Sequence, residues 1–289
     1  MTPALRPFRF VAALCLLVAA GVAFAGSPTL ERIRQTGTIA LGYRDGAAPF
    51  SFRDRDGRVL GYSVEMCARA AAHIQKQLGL AQLKIEWTAL DAANRLDAVS
   101  AGRVDAECGT TTITLTRMEQ VDFSVPIYVD GGAIMVRKRA RLNRLADLKG
   151  RKVAVIAGTT TEQAVVAALN AADARGAVLV PVKDGAAGLA ELLSGRVDGY
   201  ASDRIVLTSL RERAPVPRDL DFIVGDISYE PYAIVVRRDD PDFRLALNRG
   251  LVAMYKNGDI DVVFQRWFSG LGKPGALLNS MFYLNSLPD

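Results

Sequence analysis

The chain has 289 residues, with 36 Lys and Arg against 31 Asp and Glu, a formal net charge of +5, and half of its residues are hydrophobic. That composition predicts a folded globular protein of one large or two medium domains and excludes a disordered or low-complexity chain. One histidine and three cysteines argue against a metal site built on Cys/His clusters, and the charge is too mild and scattered for a nucleic-acid footprint; no metal, cofactor or nucleic-acid partner is expected.

The first 25 residues read as a signal peptide. Arg6 and Arg9 precede an uncharged apolar run from Phe10 to Phe24, and Ala23-Phe24-Ala25 stands before Gly26 as a cleavage site. The run is too short to span a bilayer. Leu14 stands before Cys15, where a lipobox needs a small residue, so cleavage after Ala25 and export are expected. Losing Arg6 and Arg9 leaves a net charge of +3. Two cysteines remain, Cys67 and Cys108. An even pair in an oxidising compartment favours a disulfide over the alternative of two separate buried thiols.

From there, short β-branched runs alternate with helical patterns. Thr38–Tyr43 predicts a strand. Ser63 then predicts the N-cap of a helix with Cys67, Ala71, Ile74 and Leu78 on one face, ended by Gly79. His73 lies off that stripe and predicts a solvated position. Leu83–Trp87 is the next strand, Asp91 a helix cap, and Val104–Glu107 a third strand. Beyond Gly132 come strands at Ala133–Val136, Lys152–Ile156, Val178–Val182 and Val197–Ala201, with a helix from about Thr160 and another before Val197. Helices at Asp242–Lys256 and Asp259–Phe268 end the pattern. This βαβ order predicts parallel sheets covered by helices.

An internal echo suggests two lobes of similar build. The run from Leu96 to Asp105 resembles that from Leu189 to Asp198, and both read as a helix end, a Gly stop and a strand start. The chain would cross between lobes near Ile127–Gly131 and return at Tyr229-Glu230-Pro231-Tyr232.

No G-x-S-x-G elbow, Walker A loop or H-E-x-x-H is present. Gly270 to Gly275 spells G-x-G-x-x-G, but it follows a helix and contains a proline, so it carries no nucleotide-binding meaning. The informative residues are polar ones at strand carboxyl ends, where open α/β sheets bind ligands. Arg44 follows the first strand. Gly109-Thr110-Thr111-Thr112 follows the third, with Arg117 five residues on. Gly158-Thr159-Thr160-Thr161 opens a helix, and Asp203 follows Val197–Ala201. Singly, each reads most simply as a turn or cap. Together, a cationic fork, free hydroxyls, a helix N-terminus and a carboxylate describe a site for a zwitterion.

At these residues the sequence resembles a known family. Thr112, Arg117, Val121-Asp122-Phe123-Ser124, Pro126 and Tyr128 match the spacing of the signature of periplasmic polar-amino-acid-binding proteins (family 3), the receptors of ABC importers. Tyr43-Arg44-Asp45, Asn94-Arg95, Glu107-Cys108-Gly109, Leu148-Lys149-Gly150 and Arg266-Trp267-Phe268 are most similar to glutamate/aspartate-binding members. The resemblance covers about Leu30 to Phe268. It implies a type II periplasmic-binding-protein fold, α/β with two parallel-sheet lobes joined by two hinge strands. Lobe 1 would be residues 26–126 plus 233–289, lobe 2 residues 132–227, and the hinges 127–131 and 228–232.

The resemblance also implies roles. Arg117, Thr112 and the Thr160 amide, in the Gly158-Thr159-Thr160 turn, would hold an α-carboxylate. Asp203, with Thr110 and Thr112, would take the α-ammonium, while Arg44 and Arg95 would meet a side-chain carboxylate. Arg95 on its helix reads equally well as a solvated residue. Acidic-ligand members add a Ser and a His where this chain has Ala92 and Gly185, leaving Glu, Asp, Gln and Asn as open ligands with the acids favoured. The expected protein is a periplasmic monomer, not an enzyme, that docks on an inner-membrane permease. Two other readings use the same fold: an exported cyclohexadienyl dehydratase, whose acid/base candidates would be Glu107, Lys183 and Asp184, and a ligand-sensing module.

Overall fold

A computed structural model describes residues 26–271 and 273–288; the expected signal peptide lies outside the described residues. The strands in chain order are β1 (Thr38–Arg44), β2 (Phe52–Arg53), β3 (Val59–Leu60), β4 (Lys84–Leu90), β5 (Ala106–Glu107), β6 (Asp122–Asp130), β7 (Gly132–Arg137), β8 (Lys152–Ile156), β9 (Val178–Val182), β10 (Gly199–Asp203), β11 (Leu220–Phe222) and β12 (Glu230–Val236). They form two five-stranded sheets, ordered β4-β1-β5-β12-β6 and β11-β7-β10-β8-β9, with β2 and β3 as a separate hairpin.

The sheets are mixed rather than wholly parallel. In the first, β12 runs against both β5 and β6; in the second, β7 runs against both β10 and β11. The chain leaves the first sheet along β6, turns at Gly131 and enters the second as β7. It returns as β12, which pairs along the length of β6 from Glu230 opposite Asp130 to Val236 opposite Asp122. Alternation of strands with helices predicts parallel neighbours only within βαβ units, and the two crossing strands fall outside them.

The two crossings are packed closely together. A Cβ at Gly131 would lie 2.8 Å from Asp226 Cγ, and one at Gly132 would lie 2.6 Å from Ser228 Oγ. The Gly132 amide donates to Ser228 Oγ at 3.0 Å, and the Ile227 amide donates back to the Gly132 carbonyl at 2.8 Å. A side chain at either position would force Asp226 or Ser228 to shift.

Lobe 1 is held by an aromatic cluster beneath this crossing. Phe50 meets Tyr128, Tyr232 and Phe268 at centroid separations of 4.9, 5.4 and 5.4 Å, and the Tyr62 hydroxyl donates to the Ile127 carbonyl at 2.7 Å. Truncating a fully buried ring such as Phe50 costs about 3–5 kcal/mol by cavity formation. The helix Tyr62–Gln77 buries Met66, Cys67, Ala70, Ala71 and Ile74, close to the face its sequence spacing predicts. It starts at Tyr62, one residue before the expected Ser63 cap, and Ser63 Oγ is buried without a partner. Its partner is the helix Pro241–Asn257, against which His73 is half-buried rather than solvated. Glu65 accepts from Arg266 and from the Trp267 indole at 2.7 and 2.8 Å, fixing the helix Asp259–Phe268 to the same lobe.

The Cys67 and Cys108 sulfurs are bonded, with both residues buried. The bridge ties the helix Tyr62–Gln77 to the residue that follows β5, immediately before Gly109–Thr112. That loop is zipped onto β12 by the Ile113 amide to Pro231 and the Ala233 amide to Thr111.

Candidate functional site

A cleft opens between the two sheets at the strand carboxyl ends. From lobe 1 it is lined by Arg44, Arg95 and Thr110; from lobe 2 by Thr159, Thr160, Thr161 and Asp203, among others. Six of the eight residues singled out in the sequence therefore line one cavity. Thr112 and Arg117 sit beside it, towards the crossing.

On lobe 1, Arg44 ends β1 and donates through Nη1 to Thr110 Oγ1 at 3.3 Å. Arg95 opens the helix Arg95–Ser100, one turn after Asp91, whose carboxylate accepts from the Ala93 and Asn94 amides instead of capping the helix. The solvated alternative for Arg95 is wrong: only 2% of it is exposed. Its Nε and Nη1 make no hydrogen bond. Burial, with repulsion from Arg44, lowers its pKa to about 9, so the guanidinium stays charged at neutral pH. A charge in that position needs an anion, and burying it without one is costly. Glu107, on β5, is the chain's own buried counter-charge to it. Thr111 donates to Glu107 at 2.8 Å, Oε1 has no partner, and burial pushes the carboxyl upward.

Thr112 and Arg117 are tied together, because Arg117 donates through Nη1 to the Thr112 carbonyl at 2.7 Å. Burial lowers the Arg117 pKa, while the carboxylates of Glu230 and Glu107 oppose that shift. Arg117 lies in the short helix Leu115–Met118, capped by Thr114.

On lobe 2, Thr159 caps the helix Thr160–Ala171 by accepting from the Glu162 amide, which places the first turn of that helix at the cleft. The cap reading of Thr159 is therefore correct. Asp203 stands at the N-cap position of the helix Arg204–Glu212 but makes no capping bond. Its Oδ1 instead accepts from Thr161 Oγ1 at 3.2 Å, and burial together with the Glu230 carboxylate raises its pKa. The cleft thus sets cations from lobe 1 across from a carboxylate of lobe 2, an arrangement able to hold a molecule carrying both charges.

Sequence reasoning missed Glu230. It begins β12, is fully buried, and accepts from Thr112 of lobe 1, from Thr160 of lobe 2 at 2.7 Å, and from Ser228 at 2.6 Å. Its only signal was a lone charge heading an otherwise apolar strand. The residues kept for an acid/base reading fall elsewhere. Lys183 is exposed, Asp184 caps the helix Gly185–Ser194 through the Ala187 amide, and Glu107 is fully buried and does not line the cleft.

Comparison with known proteins agrees with this architecture. The L-glutamate/L-aspartate-binding protein of Pseudomonas aeruginosa is 34% identical over 272 residues, which cover 93% of this chain and 88% of that protein. The glutamate/aspartate import solute-binding protein of Salmonella typhimurium is 30% identical over 263 residues, covering 89% and 87%. Among solved structures, an ancestral arginine-binding protein bound to arginine superposes with a TM-score of 0.71 at 33% identity, covering 80% of this chain and 98% of that one. An ancestral amino acid-binding protein, a precursor of cyclohexadienyl dehydratase, gives 0.72 at 28% identity, covering 84% and 100%. Residues 39–270 match a single family along their length, and the chain belongs to the bacterial extracellular solute-binding proteins, family 3.

Proposed function

We propose that this chain is the periplasmic receptor of an amino-acid ABC importer and that it binds an acidic amino acid, glutamate or aspartate, by closing its lobes. The observation that carries this reading is the buried Arg95 guanidinium, which faces the cleft beside Arg44 with two nitrogens lacking any protein partner. A ligand side-chain carboxylate supplies the missing acceptor. Arg117 and the amides of Thr112 and Thr160 take the α-carboxylate, and Asp203 with the Thr110 and Thr112 hydroxyls takes the α-ammonium. The glutamate and aspartate named for the Pseudomonas and Salmonella relatives point the same way.

In this reading lobe 1 is residues 26–126 plus 233–289 and lobe 2 is residues 132–227. They swing on 127–131 and 228–232, and the ligand favours closure because it touches both lobes. The exported protein begins at Gly26, works as a monomer and presents its closed face to a permease. It is a receptor and not a dehydratase, since Glu107, Lys183 and Asp184 offer no acid/base pair to the cleft. Ala92 and Gly185, the latter on the cleft wall, leave room where acidic-ligand members place a Ser and a His. A thermal-unfolding screen of the twenty amino acids tests the proposal. Glutamate or aspartate at one hundred times its Kd should add about 2.7 kcal/mol of stability. Stabilisation by none of the twenty would sink it.

A further inference from the structure

We propose that Glu230 is a positioning residue that makes the Thr112 and Thr160 hydroxyls hydrogen-bond acceptors, and so commits them to the ligand's ammonium group. The inference rests on the amino-acid reading of the cleft.

A threonine hydroxyl has one proton and two lone pairs, whereas a carboxylate can only accept. Thr112 Oγ1 and Thr160 Oγ1 both donate to the same oxygen of Glu230, Oε2, while Ser228 Oγ donates to Oε1 at 2.6 Å. Ser228 Oγ itself accepts from the Gly132 amide, so the carboxylate is braced from the crossing between lobes. With their protons committed to Glu230, the two hydroxyls, 3.2 Å apart, keep only lone pairs for any other partner. Thr160 lines the cleft, and its lobe-2 neighbour Thr161 donates in the same manner to Asp203. On this proposal the lone pairs of Thr160, which lines the cleft, and of Thr112 beside it join the Asp203 carboxylate in receiving one end of the ligand. An ammonium, with three donor hydrogens and a charge opposite to that of Asp203, suits all three. A carboxylate placed there would meet lone pairs and would bind poorly. Glu230 therefore fixes which end of a zwitterion the two threonines receive, although it does not line the cleft itself.

Replacing Glu230 by Leu tests this. Leu offers no acceptor, so each threonine is free to turn its proton towards the ligand, whereas Gln could keep its oxygen on both threonines and its nitrogen on Ser228. Titration with L-glutamate and with glutarate, which lacks the amino group, separates the roles. In E230L, glutamate affinity should fall by roughly tenfold or more, while glutarate affinity changes by less than about threefold, narrowing the wild-type preference for the amino acid. Equal losses for both ligands, a larger loss for glutarate, or no change would overturn the proposal. An unfolding transition measured on each variant guards against misfolding. If E230L does not fold, Thr160→Val must show the same selective loss and Thr160→Ser must restore it. If wild-type protein binds no amino acid, the reading of the cleft itself fails. If it binds glutamate and the variants are not selective, only the role of Glu230 fails.

Discussion

Arg117 reaches back five residues to donate through Nη1 to the carbonyl of Thr112 at 2.7 Å, so the cation and the threonine loop move as one unit. The loop is in turn pinned to β12 by backbone bonds on either side of Thr112. In the proposed site, Arg117 thus has a rigid base for meeting the carboxylate common to all amino acids. Replacing it with Ala should weaken every amino-acid ligand by more than about a hundredfold, since loss of one partner of a buried pair costs roughly 3–5 kcal/mol. Calorimetric titration with several amino acids checks this, and unchanged affinity for any of them would refute the assignment.

Arg44 and Arg95 should behave differently. Both lie on lobe 1, and Arg95 Nε and Nη1 are buried without a hydrogen-bond partner in the protein. Arg44→Ala should lower affinity for glutamate and aspartate by roughly tenfold or more, while the weaker binding of glutamine changes much less. Arg95→Ala should discriminate in the same sense, with an added loss of stability from the space its buried side chain leaves. Titrations with glutamate and glutamine decide; equal losses for both would move the side-chain pocket elsewhere.

The legibility of the molecule in its sequence follows from the range of the forces involved. Strands β8 and β9 appear at the limits that their β-branched runs define, because those runs are buried along nearly their whole length or paired in register. The helix Asp259–Phe268 likewise matches its pattern, bounded by Asn257-Gly258. Direction within the sheets was not legible, since the reversal of β7 and β12 is set by where the chain crosses, which no local pattern encodes. Arg44, Thr110, Thr160 and Asp203 were legible as cleft residues because strand ends converge in any open α/β sheet. The burial of Arg95 and the triple junction at Glu230 were not. Each depends on residues distant in sequence, and for Glu230 the two threonines, 118 and 70 residues away, come from different lobes.

The Cys67–Cys108 bridge joins residues 41 apart in sequence. In the chain-entropy account, closing a loop of that size in the unfolded state contributes about 4 kcal/mol. The double variant Cys67→Ala, Cys108→Ala should therefore unfold at clearly lower denaturant concentration, with a slope at least as steep because the unfolded chain has lost its cross-link. Wild-type protein unfolded without reductant should release no thiol. Two reactive thiols, or unchanged stability in the double variant, would contradict the structure.

Stability should also depend on pH through Asp130. This residue, where β6 gives way to the crossing, accepts from the Gly131 amide at 2.8 Å and the Ile205 amide at 3.1 Å. Burial is the main influence on it, and the nearby carboxylates of Asp203 and Asp226 add to it, so its pKa rises from 3.8 to about 7 despite those two amides. A raised acidic pKa means that the folded state holds a proton the unfolded state has already lost. Between about pH 4 and 7 the folded protein therefore binds more protons than the unfolded one, and stability falls as pH rises. For one proton the slope is at most about 1.4 kcal/mol per pH unit. Asp130→Asn cannot ionise, although it can accept only one of the two amide bonds and should be less stable than wild type in acid. Its deficit should shrink steadily as pH climbs through that window. Glu107, whose pKa is also raised, is present in both proteins and cancels in the difference, whereas Asp203 is coupled to Asp130 and their mutual repulsion is part of what the difference reads. Denaturant unfolding at pH 4, 5.5, 7 and 8 measures it. Parallel stability curves for the two proteins would show that Asp130 is already ionised throughout the range.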